Sequence, residues 1–201
     1  NISHGEFLML GAYLTWLAHT VLKVNPLVFL PVVALLLFAL GLLVYRLCFR
    51  RIARSAPSVE AIEARSLLVG FGLMFLVQNA AYLAWDADLR GYSFLADAVE
   101  IAGSRFAANR LVVFGFAVAS SLALVALLRY TLLGKAVRAM MQSPVGAQLV
   151  GIDTAVLHPA VFGAGIALAG VAGGLLSMVY EISPGMGEPY TITALIVITL
   201  G

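Results

Sequence analysis

Residues 26–44 read PLVFLPVVALLLFALGLLV, an apolar run that contains no charged side chain. About 20 such residues in a helix are long enough to cross the hydrocarbon core of a bilayer. Charge is scarce in the rest of the chain as well. Only 11% of the 201 residues are charged, against about 25% in soluble domains. The sequence therefore predicts an all-α, polytopic bundle of transmembrane helices and excludes a soluble enzyme.

Further apolar runs resemble residues 26–44 in length and composition. The predicted spans are Phe7–Leu22, Pro26–Val44, Leu67–Trp85, Leu111–Leu128 and Ala160–Tyr180, and a sixth begins near Thr191. Strands of a membrane barrel would be shorter and would alternate strictly between apolar and polar residues. Because the last run covers only about half a span, we expect the chain to be part of a longer membrane subunit.

The distribution of basic residues predicts an orientation. The connections 45–66 and 129–159 carry eight Lys and Arg residues, and the connections 23–25, 86–110 and 181–190 carry four. Short loops that are rich in Lys and Arg stay in the cytoplasm. We therefore expect 45–66 and 129–159 to be cytoplasmic and the other connections to face outward.

Residue types that would indicate a metal site or catalysis are sparse. His4, His19 and His158 have no second His or Cys at ligand spacing, and Cys48 is a single cysteine. No phosphate-binding G-x-x-x-x-G-K-[ST] motif occurs. Ser120 and Ser121 are expected to hydrogen-bond to their own helix. The net charge of +2 does not favour nucleic acid. We predict no metal, no cofactor and no enzymatic activity.

The opening stretch NISHGEFLMLGAY places polar residues directly before an apolar helix. Ser3 and Glu6 have the spacing of a capping box, and a carboxylate in the first turn complements the helix dipole. This interpretation makes the stretch a helix start. The alternative makes His4 and Glu6 part of a polar break beside a substrate path, since irregular backbone at membrane depth must be buried in protein or line a watery cavity.

Two adjacent amides, Gln78 and Asn79, lie in the middle of the third predicted span. Amides are costly to expose to lipid, so at least one is expected to face protein or water. Hydrogen bonding between helices is one interpretation, and lining of a translocation path is the other.

The fifth predicted span carries small residues at helical spacing. They are Gly165, Ala169 and Gly173 at steps of four, with Gly170 and Gly174 beside them. Small residues allow the backbone of a neighbouring helix to approach closely. This face predicts helix packing.

The connection 129–159 contains the pattern of two short helices. Val137, Met140 and Met141 form an apolar face, and Lys135, Arg138 and Gln142 form a polar stripe. The second helix is predicted from Ser143 as its N-cap, Pro144 at its first position and Gly151 after its end. Such a pair either rests on lipid headgroups or docks into another protein.

These blocks together resemble the permease subunits of branched-chain amino acid ABC importers. The resemblance rests on NISHGEFLMLGAY, the mid-span QN, GKAVRAMMQSPVGAQLVGID and AVFGAGIALAGVAGGLLSMVY, in this order. It implies a single transmembrane permease domain over 1–201, with about five complete spans and the start of a sixth, in the inner or plasma membrane of a bacterium or archaeon. The implied partners are a second permease subunit, two cytoplasmic ATPase subunits and a periplasmic or extracellular substrate-binding protein.

The resemblance also implies roles for individual residues. Gly134, Arg138, Ala139, Gly151 and Asp153 match the loop that contacts an ATPase subunit, and Lys135, Val137, Met140 and Met141 belong to the same predicted coupling loop. His4, Glu6, Gln78 and Asn79 are the candidates for the translocation path.

Three other functions stay open at this stage. Close relatives in this family import urea and short amides, so the substrate class includes these. An ion-coupled secondary transporter usually carries ionisable groups in the middle of its spans, and here only His19 lies within a predicted span, near its end. An intramembrane enzyme needs a nucleophile with a base, or a metal set, and neither pattern is found.

Overall fold

The computed structural model describes residues 3–55, 58–101 and 103–200, and within these ranges the chain is mainly helical. The helices are α1 (His4–Thr20), α2 (Pro26–Val44), α3 (Arg50–Ser55), α4 (Val59–Trp85), α5 (Ala108–Tyr130), α6 (Leu132–Gln142), α7 (Pro144–Leu149), α8 (Thr154–Leu176) and α9 (Glu188–Leu200). A π-helical turn, Tyr45–Phe49, joins α2 to α3. The prediction of an all-α membrane bundle is confirmed.

In the described ranges, four helical stretches are long and apolar enough to cross a membrane. They are Pro26–Ile52, Glu60–Trp85, Ala108–Tyr130 and Thr154–Leu176. The helix that covers most of the first predicted span, Phe7–Leu22, is α1, which begins three residues earlier, ends at Thr20 and has 17 residues. At 1.5 Å per residue this is about 25 Å, less than the roughly 30 Å of hydrocarbon.

Two helices begin before the predicted starts of their spans, because the side chains that cap them lie earlier in the chain. α4 begins at Val59 rather than Leu67, since the hydroxyl of Ser58 accepts a hydrogen bond from the amide of Ala61 at 3.3 Å. α8 begins at Thr154 rather than Ala160, since the carboxylate of Asp153 accepts from the amide of Ala155 at 2.9 Å. The last residues of the connection 129–159 are therefore already part of α8, because a capping side chain of this kind marks the start of a helix.

A short hairpin in the connection 86–110 was not predicted. Strands β1 (Ala98–Ile101) and β2 (Ser104–Ala107) pair antiparallel, with Ala98 opposite Ala107. Gly103 in the turn has φ +79°, a conformation that glycine adopts without steric cost. The two strands, AVEI and SRFA, have four residues each and do not alternate regularly between apolar and polar residues, so no strand pattern stands out in the sequence.

The chain divides into two compact units. One contains the described residues up to Ser93 together with those from Gly163 onward, and the other runs from Phe94 to Phe162. In the first unit, α1 packs against α2, α4 and α9. In the second unit, α5, α6 and α7 pack in sequence order, and the hairpin adjoins α5.

Candidate translocation path and coupling helices

Helix α1 is largely buried, and buried polar side chains lie within it and directly before it. Ser3, Glu6 and Thr15 are fully buried, together with the apolar side chains of Phe7 and Met9. The predicted capping box is wrong, because the side chain of Ser3 makes no capping hydrogen bond. A tertiary contact takes its place, since the amide of Gly5 donates to the hydroxyl of Thr191 at 3.1 Å.

Glycines bring other backbones close to α1. A Cβ on Gly11 would overlap the carbonyl oxygen of Gly170, and a Cβ on Gly173 would overlap that of Leu8. Gly174 lies against Thr15, where an added Cβ would be 2.6 Å from the Thr15 Oγ1 atom. In this part of the chain α8 therefore contacts α1 through backbone atoms, as small-residue helix interfaces do.

The remaining two residues of the predicted packing face are less buried. A Cβ on Gly165 would be 3.6 Å from the Nε2 atom of His4, and Ala169 is half-buried. The beginning of α1 thus lies beside Gly165, and Gly11 lies beside Gly170. Because a later residue of α1 lies beside a later residue of α8, the two helices run in the same direction here.

After α8, residues 177–187 form a non-helical stretch that we call the return segment. Gly174, just before it, lies against Thr15, whereas Ile182 packs with Met9 and Tyr13. Gly187, at its end, lies against Gly5. The return segment therefore runs back along α1 over about ten residues, or about 15 Å.

Part of the connection 181–190 is buried within this unit. Ile182, Pro184 and Gly187 are its buried residues. Non-helical backbone is allowed at membrane depth where protein covers it. That the connection faces outward stays a prediction from the count of basic residues.

Beside the return segment, a cluster of aromatic rings surrounds an arginine that the sequence analysis did not single out. The rings of Tyr13 and Trp85 stack with centroids 4.2 Å apart. The guanidinium of Arg90 lies 5.0 Å from the ring centroid of Trp16 and donates to the carbonyl of Trp85 at 2.9 Å. The backbone groups of Arg90 and Ile182 also exchange hydrogen bonds. No sequence motif marks Arg90, since its role depends on neighbours distant in the chain.

A second polar contact holds the start of the return segment. The hydroxyl groups of Tyr92 and Ser177 lie 2.9 Å apart, and Ser177 also donates to the carbonyl of Gly174 at 2.7 Å. The imidazole of His19 lies 4.8 Å from the Tyr92 ring. Burial raises the pKa of Tyr92 above its usual range, and the hydrogen bond to Ser177 opposes this effect. Tyr92 therefore stays protonated and able to donate at neutral pH.

The amides of Gln78 and Asn79 occupy a different environment from Glu6. α4 turns Val77, Ala81 and Trp85 toward the cluster around Tyr13. Since successive residues are about 100° apart, Asn79 lies on the opposite side of α4. Asn79 is exposed and donates to the carbonyl of Phe75 at 2.7 Å, and Gln78 is half-buried. The structure thus does not bring Asn79 to α1.

The predicted bond of Ser120 within its own helix is confirmed, since its hydroxyl donates to the carbonyl of Ala117 at 3.1 Å.

Among the described residues, no group of three or more His, Cys, Asp or Glu side chains is arranged to hold a metal ion.

In the second unit, α6 and α7 form a compact pair that we call the coupling helices. The hydroxyl of Ser143 accepts from the amide of Gly146 at 3.0 Å, and Pro144 is the first residue of α7. Gly151 follows α7 with φ +85°, the conformation of a glycine that ends a helix. Val137 and Met140 are buried with Ala147 and Leu157.

This packing changes which side chains of the coupling helices are available to a partner. Val137 and Met140 were expected on the docking face, but their burial within the pair leaves only Met141 of that face exposed. Val145 and Leu149 of α7 are also exposed. The apolar surface of the pair therefore combines the end of α6 with α7, which sequence periodicity within α6 alone could not show.

Gly134 and Arg138 attach α6 to the end of α5. Gly134 is buried, and a Cβ there would overlap the carbonyl oxygens of Leu127 and Leu128. The guanidinium of Arg138 donates to the carbonyl of Leu128. The last carbonyls of a helix lack partners within it, so Arg138 satisfies one of them. Lys135 is exposed and Ala139 is half-buried.

These features define a class of protein: a polytopic helical membrane protein in which a short polar helix lies among long apolar ones and a capped helix pair lies between spans. The sequence profile of the family described as "Branched-chain amino acid transport system / permease component" matches residues 1–201. The chain therefore belongs to this family of membrane permeases. It is a multi-pass protein of the inner or plasma membrane and a transport protein rather than an enzyme.

Two curated relatives are similar to the chain. The high-affinity branched-chain amino acid transport system permease protein BraD of Pseudomonas aeruginosa is 28% identical over 210 residues, which cover 100% of this chain and 68% of that protein. The probable branched-chain amino acid transport permease protein LivH of Methanocaldococcus jannaschii is 27% identical over 191 residues, which cover 94% of this chain and 60% of that protein. No solved structure matches the chain significantly.

Proposed function

We propose that this chain forms the membrane-spanning part of an ATP-driven ABC importer that carries branched-chain amino acids across the inner membrane. The family match over 1–201 carries the proposal, and the names of both relatives support the substrate class. The buried polar residues of α1 and the return segment supply the non-lipid surroundings that a hydrophilic substrate needs.

The proposed partners follow from this role. A second permease subunit completes the path, two cytoplasmic ATPase subunits supply energy, and an extracellular or periplasmic binding protein delivers the amino acid. No Walker A motif occurs in 1–201, so ATP hydrolysis is assigned to separate subunits.

Uptake by the assembled transporter tests the substrate class. The subunit and its partners are reconstituted in proteoliposomes and offered leucine, isoleucine, valine, other amino acids, urea and acetamide. We expect ATP-dependent uptake of the branched-chain amino acids. Uptake of urea or acetamide instead would assign the chain to the alternative substrate class, and uptake that follows an ion gradient without ATP would assign it to secondary transport.

We assign the coupling to the ATPase subunits to α6 and α7. Arg138 and Gly134 hold α6 against the end of α5, a helix of membrane-spanning length. The exposed side chains of Met141, Val145 and Leu149 provide apolar area beside this attachment. Met-bearing apolar surfaces adapt to partner grooves. A partner that pushes on the coupling helices would therefore move α5.

Charge reversal at Arg138 tests this assignment. Arg138→Glu replaces a donor to the Leu128 carbonyl by an acceptor and introduces a negative charge, which we expect to weaken ATPase association roughly 30-fold or more, or about 2 kcal/mol. Co-purification with the ATPase subunits and substrate-stimulated ATP hydrolysis are the measurements. The control is Arg105→Glu, the same reversal at an exposed position of β2. Wild-type association of Arg138→Glu would show that the coupling helices rest on lipid.

A further inference from the structure

Glu6 is a carboxylate that α1 buries without a partner. Its side chain is 0% exposed, and neither of its oxygens has a hydrogen-bond partner in the part of the chain that the structure describes. A buried carboxylate without a donor is costly, and a positively charged ligand is one way to offset that cost. Such a residue in a membrane protein indicates a functional site.

The surroundings of Glu6 are the beginnings of two helices. Gly5 donates its amide to Thr191 of α9 at 3.1 Å, and its backbone contacts that of Gly187, directly before α9. The N-termini of α1 and α9 therefore meet beside Glu6. Helix N-termini carry partial positive charge, which stabilises a nearby carboxylate. The other carboxylate near this junction, Glu188 in the first turn of α9, is exposed.

The N-termini of interrupted helices are used in membrane transporters to hold the charged groups of a substrate. Here the interruption is the return segment, which brings α9 back to the beginning of α1. A zwitterionic amino acid presents an ammonium and a carboxylate only a few ångström apart. The junction can bind both groups at one place: Glu6 accepts hydrogen bonds from the ammonium, and the helix N-termini attract the carboxylate.

We propose that Glu6 binds the ammonium group of the transported amino acid at the junction of α1, the return segment and α9. This inference rests on the proposed function and names the substrate group that the path recognises. An ammonium brings three N–H donors and a full positive charge, and charge-assisted hydrogen bonds are stronger than neutral ones. The substrate then supplies both the hydrogen-bond donors and the positive charge that stabilise the buried carboxylate of Glu6.

In the described structure the junction is closed. Gly5 and Gly187 are in backbone contact, and no side chain of either residue separates α1 from the return segment. The ammonium group of the substrate therefore reaches Glu6 when the return segment and the start of α9 move away from α1. Closure around the substrate then removes water from the charge pair and strengthens it.

The experiment measures ATP-dependent uptake of radiolabelled leucine by the complete transporter with Glu6→Gln, Glu6→Asp and the control Glu63→Gln. Glu63 is exposed near the start of α4, so its neutralisation removes one charge outside the junction. Gln keeps the size of Glu and lacks the negative charge of its ionised form, whereas Asp keeps the charge and is shorter. We expect Glu6→Gln to lower the maximal uptake rate about tenfold or more, with Glu6→Asp retaining a larger rate and the control matching wild type.

Each other outcome contradicts the proposal. If Glu6→Gln transports as well as or better than Glu6→Asp, Glu6 acts as a neutral packing group. If neither variant assembles with its partner subunits while the control does, the role of Glu6 is in folding. If wild-type uptake requires sodium or potassium and Glu6→Gln removes that requirement, a metal cation occupies the junction. If the wild type transports no amino acid, the proposed function itself is wrong. This outcome is distinguishable from a failure at Glu6 alone, because it does not depend on the variants.

Discussion

Helices α1 and α4 belong to the same unit and both carry polar residues among apolar ones, yet they place them in opposite environments. α1 buries Glu6 and Thr15 completely. α4 exposes Asn79, whose amide bonds to the carbonyl of Phe75 one turn earlier. The polarity of the side chains is comparable, and only the neighbours of each helix differ.

A polar residue within an apolar helix is therefore not by itself evidence of a path through that unit. α1 is enclosed by α2, α4, α9 and the return segment, which leaves its polar groups dependent on tertiary partners. On α4, the side toward Tyr13 is apolar and the amide lies on the other side. Burial therefore separates two candidate sites that the sequence ranked together.

The largest expected effect comes from adding one methyl group to each helix. Gly11→Ala on α1 places a Cβ into the carbonyl oxygen of Gly170, whereas Gly72→Ala on α4 meets nothing within 4 Å. We expect Gly11→Ala to destabilise the protein by more than about 3 kcal/mol, above the usual cost of overpacking, because the backbone of Gly170 cannot yield as a flexible side chain does. Thermal unfolding of the purified complexes measures the difference.

The matched change on α4 serves as the reference for that experiment. Ala has higher helix propensity than Gly by about 1 kcal/mol, so Gly72→Ala is expected to be neutral or mildly stabilising. Equal stability of the two variants would contradict the close contact of α1 with α8 and would remove the contrast between α1 and α4.

A smaller effect is expected at Tyr13, which joins the two helices through its stack with Trp85. Tyr13→Ala removes a fully buried ring, and we expect it to cost about 3 kcal/mol, the lower end of the range for buried aromatic truncations. Tyr13→Phe removes only a buried hydroxyl that has no hydrogen-bond partner among the described residues and is expected to change stability by less than about 1 kcal/mol.

The two Tyr13 variants are measured by thermal unfolding and by leucine uptake. A stable Tyr13→Phe transporter with impaired uptake would show that the hydroxyl contacts substrate, which would extend the polar path from Glu6 along α1. Uptake at the wild-type rate is the expected result.

The smallest effect on stability is expected for Asn79→Leu on α4. The side chain is exposed in this unit, and exposed substitutions usually change stability by about 0.5 kcal/mol or less. If Asn79 lines the path formed with other parts of the transporter, uptake falls while the amount of assembled complex stays constant. A loss of assembled complex at normal turnover would instead assign Asn79 to contacts between helices.

The sequence by itself determined the class of protein and much of its local structure. Apolar runs of sufficient length require helices in a bilayer, since every backbone group must be satisfied within the segment. Short-range signals also placed Ser143, Pro144 and Gly151 at the ends of α7, because capping depends on residues only a few positions apart. Ser58 and Asp153 cap α4 and α8 in the same local way, and these helices begin several residues before the apolar runs from Leu67 and Ala160 that define the predicted spans.

Only the tertiary structure decided which polar residues are enclosed and where the chain turns back. The capping box of Ser3 and Glu6 is a local pattern, and it is replaced by the hydrogen bond from Gly5 to Thr191, 186 residues apart. The return segment and the position of Arg90 depend on contacts of the same long range. Periodicity and charge counts describe one helix or one loop at a time. Whether Glu6 is buried depends on glycines in α8 and before α9 that let two other segments approach the backbone of α1, and this follows from packing between distant segments.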